Sequence, residues 1–294
     1  MKANPYSVIR KRENLYRSLT GITIEKFEGL LEQIIPLYEK AEEKRLFKEN
    51  RRRKQGGGRR KDLDIGNQLL MLLMYYRLYV SQELLGLIFG LHNCNVSRQI
   101  KYMHPLLAKV FRIPTHKIKL EHEELTEEEL LNIFIIDATE QQIRRPRKQQ
   151  KKYYSGKKKR HTIKNQITVT SKGKIISVSR SNPGSKHDKK LKDESRLIYG
   201  KELEPVSDLG YYGAVGIHPF GRGITMPIKK PKGKQLTSEQ KQFNLELSRK
   251  RIKVEHTIGR MKVYQILAQR YRNNLSNHTI VFKNVAGLYN LMYA

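Results

Sequence analysis

The sequence predicts a chain of two parts, an all-α N-terminal region followed by an α/β (α+β) domain. Three observations lead there. In the first part apolar residues recur at helical spacing, as in Phe27, Leu30, Leu31, Ile34 and Ile35. Beyond residue 130 come short, β-branched apolar runs, the first being LNIFII at 131–136, with five apolar residues in six. Two of these runs end in an acid, at Asp137 and Asp208, with hairpin and helix signals between them.

Charge narrows the partners. The chain has 294 residues, enough for two cores, with 59 Lys and Arg against 28 acids and a formal net charge of +31. An excess of this size points to a polyanion, and to double-stranded DNA before a membrane, because no strongly amphipathic helix accompanies the basic runs. The longest apolar run, residues 69–76, is far too short to span a bilayer, and the start of the chain has no signal-peptide core. Cys94 is the single cysteine, which excludes an internal disulfide and a cysteine-based zinc site. The nine histidines form no HxxxH or HExxH spacing. A reducing compartment fits: the nucleoid-bearing cytoplasm of a prokaryote, or the nucleus if the host is eukaryotic.

In chain order, residues 23–46 read as an amphipathic helix within an N-terminal helical segment, 1–50. Residues 51–61, RRRKQGGGRRK, hold seven basic residues and three glycines and read as an arm or linker that follows phosphates. Residues 62–120 form the next unit. Its segment 69–78 is apolar nearly all round and is therefore its buried helix. Ser81 caps a helix over 82–89, residues 90–93 make a turn, and Asn95 caps a helix over 96–104. Helix, short glycine-containing turn, helix is a helix-turn-helix. Val96, Ile100 and Met103 would face inward, leaving Ser97, Arg98 and Lys101 to meet the major groove.

An acidic stretch, 121–129, links this unit to a domain over 130–294. After the strand ending at Asp137, residues 144–164 carry eleven Lys/Arg and no acid around Tyr153-Tyr154-Ser155-Gly156. That density reads as a loop or hairpin against DNA backbone, with Lys157, Lys158, Lys159 and Arg160 at its tip. Residues 166–170 and 174–179 form a hairpin, and Ser185 to Asp188 a capping-box-like start to a helix reaching about Tyr199. A short strand over 205–208 ends in Asp208. Residues 224–228 read as a further short strand, followed by the basic loop 229–234. Thr237 caps a long helix over 238–266, with Gln240 completing its capping box, and a last helix covers 279–293.

Strand with Asp, hairpin, helix, short strand with Asp, long helix with Glu: this order is that of a ribonuclease H-like catalytic domain. It sets out Asp137, Asp208 and Glu255 in sequence. Three converging acids in so basic a chain make chemical sense around cations, and oxygen ligands alone suit Mg²⁺ or Mn²⁺. Two such ions about 3.5–4 Å apart would activate a hydroxyl and stabilise the leaving oxygen of a phosphodiester. Asp188 is the rival for the second acid, although a helix-capping position explains it without a metal.

The matching segments are Asp137-Ala-Thr-Glu140, Tyr154-Ser-Gly-Lys-Lys-Lys-Arg-His161, Gly184-Ser-Lys-His-Asp188, Asp208-Leu-Gly-Tyr211 and Val254-Glu255-His256. In order and spacing they resemble an insertion-sequence transposase of the DDE superfamily, in the IS-five branch related to the Harbinger-derived nucleases. Arg251, Glu255 and Lys262 match that family's Tyr-two-Arg-three-Glu-six-Lys signature, whereas Ser248 stands in place of its Tyr. The resemblance implies that Asp137, Asp208 and Glu255 are catalytic metal ligands and that Arg251 and Lys262 face phosphates. It also implies a homodimer or higher multimer that binds terminal inverted repeats, cleaves at the element ends and joins the 3′-hydroxyls to target DNA. The alternatives are a domesticated endonuclease without strand transfer, or a non-catalytic DNA-binding derivative; the three intact acids argue against the latter.

Overall fold

A computed structural model describes residues 5–47, 63–115, 119–120, 134–195, 198–199, 205–211 and 225–293. The basic arm at 51–61 and the acidic linker at 121–129 lie outside the described residues. The chain divides into two compact units: Met1–Arg112 with Tyr264–Ile266, and Ile113–Val263 with Leu267–Ala294.

The described residues of the first unit form helices α1 (Pro5–Ile9), α2 (Glu13–Thr20), α3 (Ile24–Leu46), α4 (Ile65–Leu78), α5 (Gln82–Phe89) and α6 (Asn93–Phe111). α4 is buried on every side from Gly66 to Tyr76, as its continuous apolar character requires. It packs against α2, α3, α5 and α6. In its last turn the hydroxyl of Tyr76 meets Nδ1 of His104 at 2.5 Å, and burial lowers the pKa of that imidazole to about 4. Ser81 caps α5 by accepting from the Leu84 N–H. Gly90 ends α5 in the left-handed conformation, and a side chain at Gly86 would collide with the Leu91 carbonyl. This close approach makes the turn tight. The cap of α6 is His92, one turn before the Asn95 expected from the sequence, because its imidazole accepts from the Cys94 N–H. Asn95 instead accepts from Arg98 inside the helix.

The second unit is built on a mixed sheet. Its strands are β1 (Lys119–Leu120), β2 (Phe134–Gln142), β3 (Tyr154–Ser155), β4 (Arg160–Val169), β5 (Ile175–Val178), β6 (Asn182–Pro183), β7 (Ile198–Tyr199) and β8 (Pro205–Ser207). The helices after residue 113 are α7 (Gln150–Tyr153), α8 (Asp188–Ser195), α9 (Ser238–Met261), α10 (Gln265–Ala268), whose first two residues fall in the first unit, and α11 (His278–Tyr293). β4 pairs antiparallel with β2 and β5, and β8 runs parallel to β2 on its other side. The path β5-β4-β2-β8, with only the hairpin strand β4 reversed, is the ribonuclease H-like arrangement. β1 and β7 form a separate parallel pair.

Several boundaries differ from the sequence reading. β2 does not end at Asp137 but continues through Thr139 and Gln141 to Gln142, because Gln141 and Gln142 find partners on packed segments far along the chain. Gln141 is buried between Nε2 of His278 at 2.7 Å and the Gln269 carbonyl at 2.7 Å. The basic stretch 144–164 is loop and short helix only as far as Tyr153; from Arg160 it is β4. Of the strand expected over 224–228, residue 224 lies outside the described residues, and the described residues 225–228 provide a single bridge, Thr225 to Val206. Ser185 caps nothing: its hydroxyl donates to the Lys152 carbonyl. α8 ends at Ser195, and residues 198–199 return as β7. Thr237 and Gln240 do form the capping box of α9, which stops at Met261. Among the described residues no helix is long and apolar enough to cross a membrane.

Candidate active site

The site grows from the pairing of β2 with β8. Ile136 lies opposite Ser207 in that parallel ladder, so Asp137 and Asp208, one step on, leave neighbouring strands side by side. β2 carries Asp137 onward within the strand, where its Oδ1 accepts from the Ala138 N–H at 2.7 Å. β8 ends before Asp208, and Oδ1 of Asp208 accepts from the Leu209 N–H at 2.6 Å, starting a 3₁₀ turn over Leu209–Tyr211.

α9 packs on β2 and brings Arg251 and Glu255, one helical turn apart, to the same place. Nη2 of Arg251 stands 3.6 Å from Asp208 and 4.0 Å from Glu255, so a guanidinium lies between two of the three acids. Its Nε is buried without a hydrogen-bond partner. Lys262, just past the end of α9, lines the same cleft of about 240 Å³ as Asp137, Glu255, Lys157 and Lys158. Burial and the neighbouring Lys158 ammonium lower the pKa of Lys262. Burial likewise pushes Asp137 up to about 6; the Ala138 N–H and Arg251 oppose this, while Asp208 and Asp188 add to it.

Tyr154-Ser155 and Arg160-His161 pair as a hairpin whose tip is Gly156 to Lys159. The Ser155 hydroxyl accepts from the Lys158 N–H at 3.2 Å, and Lys159 takes a left-handed conformation, φ 52°. Lys157, Lys158 and Lys159 are thereby held exposed in succession, with the Arg160 guanidinium folded back on the Lys158 carbonyl and Gln142.

The first residue of α8, Asp188, lines the same cleft together with Glu140 and Lys164, and an ammonium holds it there. Nζ of Lys164 donates to Asp188 at 2.9 Å and to the Lys186 carbonyl at 2.9 Å, with Glu140 at 3.3 Å. Lys164 and Glu140 face each other across the β2–β4 ladder, and both are about 8% exposed. The Thr162 hydroxyl also donates to Glu140 at 2.7 Å, and these partners hold the Glu140 pKa down against its burial. Asp188 in turn abuts the turn after Asp208, since a Cβ on Gly210 would come within 3.1 Å of its Oδ2. Sequence reasoning placed Lys164 in the basic segment against DNA backbone and gave Glu140 no role of its own, whereas here Lys164 is buried against Glu140 and Asp188. Only the strand register pairs Lys164 with Glu140, and 23 residues separate the two in the chain.

In the helical unit, Val96, Ile100 and Met103 are buried as expected of the inner face of α6. Arg98 and Lys101 are exposed, and Ser97 is half-buried beside them.

A family model described as DDE superfamily endonuclease matches residues 136–290, which begin at the strand bearing Asp137 and run into the last helix. The chain belongs to the DDE superfamily endonucleases. A second model, the helix-turn-helix of DDE superfamily endonuclease, matches residues 61–113, spanning α4 to α6. This DDE endonuclease is 34% identical over 279 residues to a probable transposase for insertion sequence element IS702 from Microchaete diplosiphon, covering 94% of this chain and 93% of that protein. No solved structure matches. None of these matches names a branch within the superfamily.

Proposed function

We propose that this DDE endonuclease is the transposase of an insertion element. Its helix-turn-helix binds the terminal inverted repeats of the element in duplex DNA. The sheet domain cleaves at the ends and joins the 3′-hydroxyls to target DNA. The observation that carries the reading is the pairing of β2 with β8, which sets Asp137 beside Asp208 while α9 presents Glu255 to the same cleft.

DDE endonucleases work with divalent metal ions, and the residues here fit them. The three carboxylates are hard oxygen donors, and a cation is what would relieve the burial and like-charge repulsion that raise Asp137. Among the described residues no three acidic, His or Cys side chains stand together closely enough to hold an ion. Arg251 occupies the space between Asp208 and Glu255. Asp137, Asp208 and Glu255 would hold Mg²⁺ or Mn²⁺, as a pair of ions that activates the attacking hydroxyl and stabilises the leaving oxygen.

The chain's own residues do the rest. Arg251 turns from the carboxylates to the phosphate of the cleaved bond, where its unpartnered Nε gains an acceptor. Lys262 and Lys158 stabilise charge on the non-bridging oxygens from the opposite wall. Lys157, Lys159 and Arg160 follow the flanking backbone, and Ser97, Arg98 and Lys101 read the repeat. Asp188 is no ligand in this scheme, because Lys164 neutralises it and uses it to buttress the turn that carries Asp208. Two such chains, one at each repeat, would hold both ends of the element.

The test is end cleavage and joining on a duplex bearing the repeat that flanks the gene, with Mg²⁺ or Mn²⁺. Asp208→Asn and Glu255→Gln should each abolish both steps with repeat binding retained. Cleavage without joining by the wild type would instead indicate a domesticated endonuclease.

A further inference from the structure

The basic loop 229–234 takes no part in the cleft described above, yet it is built rather than loose. Asn244 on α9 clamps its start from both sides: Oδ1 accepts from the Ile228 N–H at 2.7 Å, and Nδ2 donates to the Ile228 carbonyl at 3.0 Å. Its far end is a turn closed by the Lys234 N–H on the Pro231 carbonyl, with Gly233 at φ 78° where only glycine is unstrained. Lys229, Lys230, Lys232 and Lys234 are all exposed. From 225 to 253 the chain holds nine Lys or Arg against Glu239 and Glu246. Asn244 thus fixes the start of a loop, closed at its far end by its own turn, on which four like charges repel one another, and an anion lying across them would relieve that repulsion.

The loop is also tied to the site. Just ahead of it the Thr225 carbonyl accepts from the Ser207 N–H at 3.1 Å, the residue before Asp208. Behind it, Asn244 precedes Glu255 by eleven residues of continuous α-helix, about 16 Å along the axis.

We propose that the Asn244-clamped loop is a second DNA contact, gripping the backbone of the duplex whose cleaved bond lies in the cleft. Sixteen ångströms corresponds to about five base pairs at ~3.4 Å each, so the contact falls about five base pairs from the cut. The proposal rests on the transposase reading, and its test separates the two. End duplexes are made with single neutral methylphosphonate linkages stepped outward from the cleaved bond, and binding is measured for the wild type, for Lys229→Ala/Lys230→Ala/Lys232→Ala and for Asn244→Ala. With the wild type, neutral linkages four to six base pairs from the cut should weaken binding several-fold. With either variant those same linkages should have no effect, although Asn244→Ala keeps every charge. Unchanged melting temperatures would show that the variants fold. An interference pattern identical in all three proteins would overturn the proposal while leaving the transposase reading intact. Failure of the wild type to bind the end duplex at all would overturn that reading, and the proposal with it.

Discussion

Replacing Asp137 by Asn should stabilise the metal-free protein at pH 8. Burial beside Asp208 and Asp188 raises this carboxyl from 3.8 to about 6. The folded state therefore holds the proton more tightly than the unfolded chain does. The stability gained from protonation is complete below about pH 4, declines as pH rises and is gone above about pH 6. At pH 8 the wild type carries the whole cost of a charged, desolvated carboxylate, about 3 kcal/mol at ~1.4 kcal/mol per pKa unit. Asn keeps the acceptor for the Ala138 N–H and carries no charge. For a unit of this size the difference corresponds to a melting temperature about 6–12 °C higher. Thermal melts followed by circular dichroism in EDTA at pH 8 would show it, and about half should remain at pH 5. Adding Mg²⁺ should close most of the gap: at a hundred times its dissociation constant it would stabilise the wild type by about 2.7 kcal/mol, and the variant much less. An Asp137→Asn protein that melts at or below the wild-type temperature at pH 8 without metal would refute the electrostatic argument.

Three further outcomes are expected. Converting Lys157, Lys158 and Lys159 to Ala should make the slope of log affinity against log salt shallower by up to about 2.7, read from binding titrations at several salt concentrations; an unchanged slope would take the hairpin off the backbone. Arg98→Ala should cost about 1–3 kcal/mol on the repeat and much less on random duplex, whereas equal losses on both would make Arg98 a phosphate contact. Asp188→Asn should lower stability by about 1–3 kcal/mol in denaturant melts, because the buried Lys164 ammonium keeps an amide acceptor there but loses one of its two carboxylate partners. Cleavage by that variant, assayed well below its melting temperature, should persist; a folded but inactive Asp188→Asn would transfer the ligand role from Asp208 to Asp188.

The sequence alone determined whatever depends on neighbours a few residues apart. The all-round apolar α4, the Ser81 cap, the Thr237–Gln240 capping box and the order of the acid-bearing elements all rest on helical period, turn chemistry and local hydrogen bonds. From that order the adjacency of Asp137 and Asp208 could be expected, since parallel strands joined by a crossover end on the same side. Tertiary structure alone decided which polar residues a partner far along the chain would satisfy. β2 runs on past Asp137 because Gln141 meets His278, 137 residues later. Asp188 pairs with a buried ammonium, because the β2–β4 register sets Lys164 against Glu140 and α8 brings Asp188 to the same Lys164. Arg251 and Glu255 share a stripe in any helical drawing, but only the packing of α9 on the sheet sets the guanidinium against Asp208. A carboxylate's spacing is local, whereas its protonation and its partners follow from burial and charges that long-range contacts bring to it.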